Sequence, residues 1–177
     1  MKDDLRNSLQ AILWGGVAAG TVDMIMATAS SVGRGRAPLD GWRFVASGLI
    51  GKTALEGGWV TGVLGLLVHY SLTTIMAALF VLAVRRQPGL LRSPWVSALI
   101  YGALIFAAMN YVIVPHSGVP TWKTPSGFWA NLSGAMAHGF FVALPIISVA
   151  RHFLGLEQRF STPLKMRASV EGERQVA

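Results

Sequence analysis

Four polar residues interrupt long apolar segments of this chain: Asp23, His69, Asn110 and His138. A polar group at membrane depth is costly, so each needs a partner or a task. An ionised Asp alone in hydrocarbon must be protonated or paired. A neutral imidazole offers one donor and one acceptor, and can satisfy a carboxylate or an amide. Asp23 with His69 is the expected pair, and Asn110 with His138 its uncharged counterpart.

Such a layer is open to several chemistries. The simplest is structural, with helix-bridging hydrogen bonds worth about 1 kcal/mol each in a membrane. The second is cofactor binding: His69 and His138 would be the two axial ligands of haem b, with flanking glycines admitting the macrocycle. The third is passage of protons or a small solute, with Asp23 titrating. Asp23, His69 and His138 are also suitable metal donors, but no recognisable spacing motif joins them and no metal is expected. No catalytic residue is expected either: the chain has no GxSxG, P-loop, HExxH or Rossmann fingerprint.

The elements that must position this layer follow from composition. The chain has 177 residues, 53% hydrophobic and 13% charged; soluble domains carry about 25% charged residues. The charges are segregated, leaving four apolar stretches of about 20 residues or more, enough to cross about 30 Å of hydrocarbon. The expected fold is an all-α, integral membrane four-helix bundle. Its transmembrane helices are expected at about 9–31, 59–84, 95–115 and 127–150, in one domain over 1–155. At 1.5 Å per residue, His69 lies about 15 Å, Asp23 about 12 Å and Asn110 about 8 Å below their helix ends, with His138 near mid-span.

Helical spacing aligns each polar residue with small ones. Gly16, Gly20, Asp23 and Ala27 share a stripe, as do Ala103, Ala107 and Asn110. Gly62, Gly65, His69, Thr73 and Met76 form a third stripe; Asn131, Gly134, His138 and Pro145 form the fourth. Small residues let membrane helices approach closely, and Gly16-xxx-Gly20 is a GxxxG pattern. Gly16, Gly20, Gly65 and Gly134 are therefore the expected helix-packing positions.

The stripes also suggest an internal repeat. WGGVAAGTVD (14–23) aligns with YGALIFAAMN (101–110), and GLLVHYSL (65–72) with GAMAHGFF (134–141). Two helices per unit implies two hairpins related by a pseudo-twofold axis along the membrane normal. Orientation follows from Lys and Arg: an inside N-terminus puts ten of them on the cytoplasmic side and five on the other. This favours N-in, C-in. The connection after the first helix departs from the rule, carrying Arg34, Arg36, Arg43 and Lys52 on the outer side. Ala27-Thr28-Ala29 resembles a cleavage box, yet the leader MKDDLR has no net charge and Asp23 breaks the apolar run. The first segment is thus expected to remain as a span.

Between the first two spans, Gly33, Gly35 and Pro38 should stop the helix, and Asp40 should cap a new one over 41–55. Trp42, Val45, Leu49 and Leu55 fall near one face, with Arg43 and Lys52 elsewhere, as expected either of an interfacial helix on the outer leaflet or, equally, of an ordered loop packed on the bundle. The basic tail, 156–177, is charged and non-periodic and is expected to be poorly ordered. With no Cys, disulfides, thiolate metal sites and cysteine catalysis are excluded. The net charge of +7 sits beside the spans, where it fixes topology and meets anionic lipid, so no nucleic acid partner is expected.

The runs GGVAAGTVDMIMA, ASGLIG…EGGWVTGVLGLLVHY and YGALIFAAMNYVIVP resemble a set of small uncharacterised bacterial inner-membrane proteins, the YagU-like group. The resemblance covers about residues 10–150. It implies four helices in the bacterial inner (cytoplasmic) membrane and carries over no catalytic or binding residue. The function expected from the whole reading is non-catalytic: a scaffold or accessory subunit of a membrane complex. Its expected partners are the lipid bilayer and either further copies of itself or a larger assembly. The alternative is a b-type haem protein using His69 and His138, or a carrier using Asp23.

Overall fold

Long apolar runs fold as helix because only there can a lipid-facing backbone satisfy its own hydrogen bonds. The computed structural model describes residues 2–120 and 122–155, and among them there is helix and no strand. Helix α1 spans Lys2–Gly33, α2 Pro38–Ile50, α3 Thr53–Glu56 and α4 Trp59–Arg86. A 3-10 turn at Pro88–Leu91 leads into α5, Pro94–Ala107, which continues as a π-helical turn over Ala108–Ile113. The last span is α6, Phe128–His138, a π-helical turn at Gly139–Ala143, and α7, Leu144–Leu154. Four stretches are long and apolar enough to cross a membrane: Asp4–Gly33, Trp59–Arg86, Pro94–Ile113 and Phe128–Leu154. The tail at 156–177 lies outside the described residues.

The two π-helical turns have a shared local cause. Each ends two residues before a proline, Pro115 or Pro145. Proline has no N–H to donate and its ring crowds the preceding turn, so the ladder loosens just ahead of it. A π turn adds one residue per turn and rotates every later side chain relative to a regular helix. The fourth span shows the result. None of α6 is buried, whereas Gly139, Val142, Ala143, Ile146, Ile147 and Ala150 are. A single stripe joining His138 to Pro145 does not exist, because the π turn lies between them.

Packing is uneven along the bundle. Helix α1 lies between α4 and α7, and α5 packs on α6 and the π turn that follows it. The apolar core draws on Ala77, Phe80 and Val84 of α4, Leu91 and Ala98 beside the short α4–α5 connection, and Ile146, Ile147 and Ala150 of α7. It therefore fills the half of the bundle nearest that connection. The Tyr101 hydroxyl donates to the Met76 carbonyl at 2.6 Å, tying α5 to α4.

The other half is closed differently, by α2. This helix starts earlier than expected and is capped at Ala37. Asp40 is its third residue, not its cap, and its Oδ2 accepts the Ala37 N–H at 3.1 Å. The expected 41–55 helix divides in two where Gly51 adopts a φ of 68°, a conformation that favours glycine. Its faces also differ from expectation. Trp42 turns inward and donates from Nε1 to Thr28 Oγ1 at 3.0 Å. Phe44, Leu49 and Ile50 are the apolar residues of α2 left exposed.

Candidate functional site: a polar layer shared unequally by two hairpins

The first hairpin is drawn together by its glycines. A Cβ built on Gly16 would come within 2.6 Å of the Thr74 Cα, and one on Gly20 within 2.7 Å of the Tyr70 ring. Only hydrogen fits at both places, so α1 and α4 touch backbone to side chain. That closeness puts the carbonyls of α1 within reach of α4. Thr73 Oγ1 donates to the Gly16 carbonyl at 2.9 Å. His69 Nε2 stands 3.1 Å from the Gly20 carbonyl, which can only accept, so Nε2 carries the proton. Tyr70 and Thr21 share a hydroxyl hydrogen bond of 3.0 Å.

Asp23 joins this cluster at its edge. Its Oδ2 is 3.8 Å from His69 Nε2, within ion-pair reach but beyond a hydrogen bond. His69 is buried, while the Asp23 side chain is 31% exposed. The carboxylate is thus close enough to attract a charged imidazole, yet open on one side. Gly65, one turn before His69, is filled from outside the hairpin. The Trp42 carbonyl of α2 occupies the place its Cβ would take.

The second hairpin satisfies its polar residues separately. Asn110 Nδ2 donates to the Phe106 carbonyl of its own helix at 2.8 Å. His138 Nδ1 meets the Gly134 carbonyl, again on its own helix, at 2.9 Å. The structure therefore brings Asp23 and His69 together and does not pair Asn110 with His138. The cleft at Gly134 is filled by the Phe106 ring, and that ring also packs edge-on against His138 at 5.6 Å. Asn131 is bonded instead by the Tyr111 hydroxyl.

A register difference explains the asymmetry. The sequence repeat matches Gly20 with Ala107 and Tyr70 with Gly139. Gly20 does face Tyr70, but Gly139 faces Gly102, five residues before Ala107. At 1.5 Å per residue the second hairpin is slid by about 7–8 Å. Asn110 also lies within the π turn Ala108–Ile113, which turns it off the Ala103–Ala107 stripe.

The chemical consequences differ for each residue. The ring nitrogen with a partner on each imidazole is engaged by a carbonyl, and the two glycine clefts beside them are occupied by Trp42 and Phe106. This arrangement leaves no slot for a macrocycle at either glycine. Among the described residues no three His, Asp or Glu side chains gather in a metal-binding group. Residue spacing put Thr73 on the His69 stripe but missed Tyr70 with Thr21, and the Trp42 backbone, as members of the layer. It also missed the two π turns, whose sequence signal was a proline in each apolar run, Pro115 and Pro145. No protein-family model, curated protein or solved structure matches this chain.

Proposed function

We propose that the chain is a multi-pass protein of the bacterial inner membrane, oriented N-in and C-in, with a non-catalytic role as scaffold or accessory subunit of a membrane complex. The observation that carries this reading is that the polar and glycine positions are consumed within the chain. Gly16, Gly20, Gly65 and Gly134 are each filled by a neighbouring element, and His69, Thr73, Asn110 and His138 all bond to backbone carbonyls. What remains for outside contact is apolar helix surface, including Val17 and Ile25 of α1 and Leu67, Ile75 and Leu79 of α4. Such faces meet lipid or another helix. The basic Arg85, Arg86 and Arg92 around the α4–α5 connection support the orientation.

The absence of cysteine makes the test clean. Single cysteines replacing Leu67, Ile75 or Ile25 are cross-linked in native membranes, and the products are run beside native gels of the untagged protein. Position-dependent adducts, with itself or with one discrete partner, are expected. A monomer at every position and on native gels overturns the reading.

A second reading, a small proton or solute carrier, is favoured by the partial exposure of Asp23 at membrane depth. Flux through proteoliposomes that falls with Asp23→Asn supports it; flux unchanged by that substitution removes Asp23 from any such role.

A further inference from the structure

The excess of basic residues between α1 and α4 is left unexplained by topology, and the structure shows them in unlike settings. Lys52 is exposed and pairs with Glu56 at 3.6 Å. Arg34 reaches back to the Ser30 hydroxyl. Arg36 is exposed, on the tight turn that the Arg34 and Arg36 amides make with the Ser31 carbonyl. Arg43 differs from all three. Its side chain is only 23% exposed, its Nε is fully buried, and that Nε has no hydrogen-bond partner among the described residues. Among the described residues its charge partner is Asp40, whose Oδ1 is 3.6 Å from Nη1, too far for a hydrogen bond. The other Asp40 oxygen is already held by the Ala37 amide.

A guanidinium carries five N–H donors in a planar fork and does not lose its proton. A mostly buried guanidinium whose Nε is unpartnered and whose carboxylate stands beyond hydrogen-bond range is expensive unless an oxygen-rich anion completes it through the Nη groups. The surroundings indicate which kind of anion. Phe44, Leu49 and Ile50 on α2 and Trp59 and Val60 at the start of α4 are exposed and apolar, a margin suited to acyl chains. Arg43 lies on the same helix as the first three, and Arg34 and Arg36 occupy the turn that precedes it. An arginine fork beside an apolar margin matches a phosphodiester on a lipid.

We propose that Arg43, supported by Arg34 and Arg36, is a seat for the phosphate of one phospholipid in the leaflet facing the α1–α4 connection. Asp40 positions the guanidinium and also competes with the lipid phosphate for it. This inference rests on the membrane-spanning reading above. It assigns the three arginines of this connection to lipid recognition, whichever way the chain is inserted.

The test uses the full chain purified in mild detergent and measures retained phospholipid by native mass spectrometry. Phosphatidylglycerol is added back as the probe. Arg43→Gln is expected to lower retention about tenfold, the loss of one or two charge-assisted bonds. Arg43→Lys, which keeps charge but loses the fork, should fall between. Asp40→Asn should raise retention, an effect opposite in sign to simple loss of structure, because the amide can still accept from Ala37. Lys52→Gln, on the same connection but already paired with Glu56, serves as the control and should leave retention unchanged. Millimolar inorganic phosphate should not displace the lipid; if it does, the seat takes free phosphate and the lipid assignment is overturned. Equal retention by the parent chain and Arg43→Gln also overturns the proposal. A chain that stays soluble without detergent and holds no lipid would instead remove the membrane reading itself.

Discussion

The backbone carbonyl of Trp42 occupies the space a side chain at Gly65 would need, so α2 is seated on α4 by a glycine rather than floated on the membrane surface. The contact is backbone against backbone and cannot yield by a change of rotamer. Gly65→Ala should therefore push α2 away from α4 and cost about 1–3 kcal/mol. Gly41, in the same α2, has open space where its Cβ would stand. Gly41→Ala should instead stabilise by about 0.5–1 kcal/mol, through lower unfolded-chain entropy and better helix propensity. Unfolding of the two variants in detergent, followed by circular dichroism, tests the contrast. Equal effects would mean that α2 does not bear on Gly65.

His69 and His138 occupy equivalent places in the sequence repeat but are not equivalent in the structure. His69 bonds across the helix interface to Gly20 and is buried. His138 bonds within its own helix. His69→Ala should destabilise by about 1–2 kcal/mol more than His138→Ala, combining a lost interhelical bond with a cavity. The measurement is the same unfolding experiment, and a larger loss for His138→Ala would reverse the ranking drawn from the geometry.

The pairings themselves are open to a double-mutant cycle. Asp23 and His69, 3.8 Å apart, should couple by about 0.5–1 kcal/mol when replaced by Asn and Gln singly and together. Asn110 and His138, each bonded to its own helix, should couple by less than about 0.3 kcal/mol. Coupling at the second pair as large as at the first would show that the hairpins associate in the register of the sequence repeat.

These contrasts mark where residue patterns were informative. The four apolar stretches were legible because hydrocarbon thickness sets helix length directly, and the Asp23–His69 approach was legible because α1 and α4 are regular up to that point. The small-residue logic also held for Gly16 and Gly20, although the partner they admit is α4 of the same chain. The second hairpin was misread because a constant helical period was carried through Asn110 and past His138, where π turns ahead of Pro115 and Pro145 rotate the faces. The role of α2 was hidden for another reason. Trp42 contributes a carbonyl to Gly65 and an indole N–H to Thr28, and hydropathy along the chain reports neither contact.

Filled clefts lead to a last prediction, on the purified protein's spectrum. Axial haem ligation would need an imidazole nitrogen turned toward a slot wide enough for the macrocycle. His69 Nε2 is held on the Gly20 carbonyl, and the neighbouring glycine is closed by the Trp42 backbone. His138 is held on Gly134, whose open side carries the Phe106 ring. Opening both clefts would mean displacing α2 and repacking α5, together costing several kcal/mol before any iron–nitrogen bond formed. Protein purified in mild detergent from cells supplied with a haem precursor should show no Soret band. A band abolished by both His69→Ala and His138→Ala would establish the opposite. It would require the two hairpins to reopen at Gly65 and Gly134.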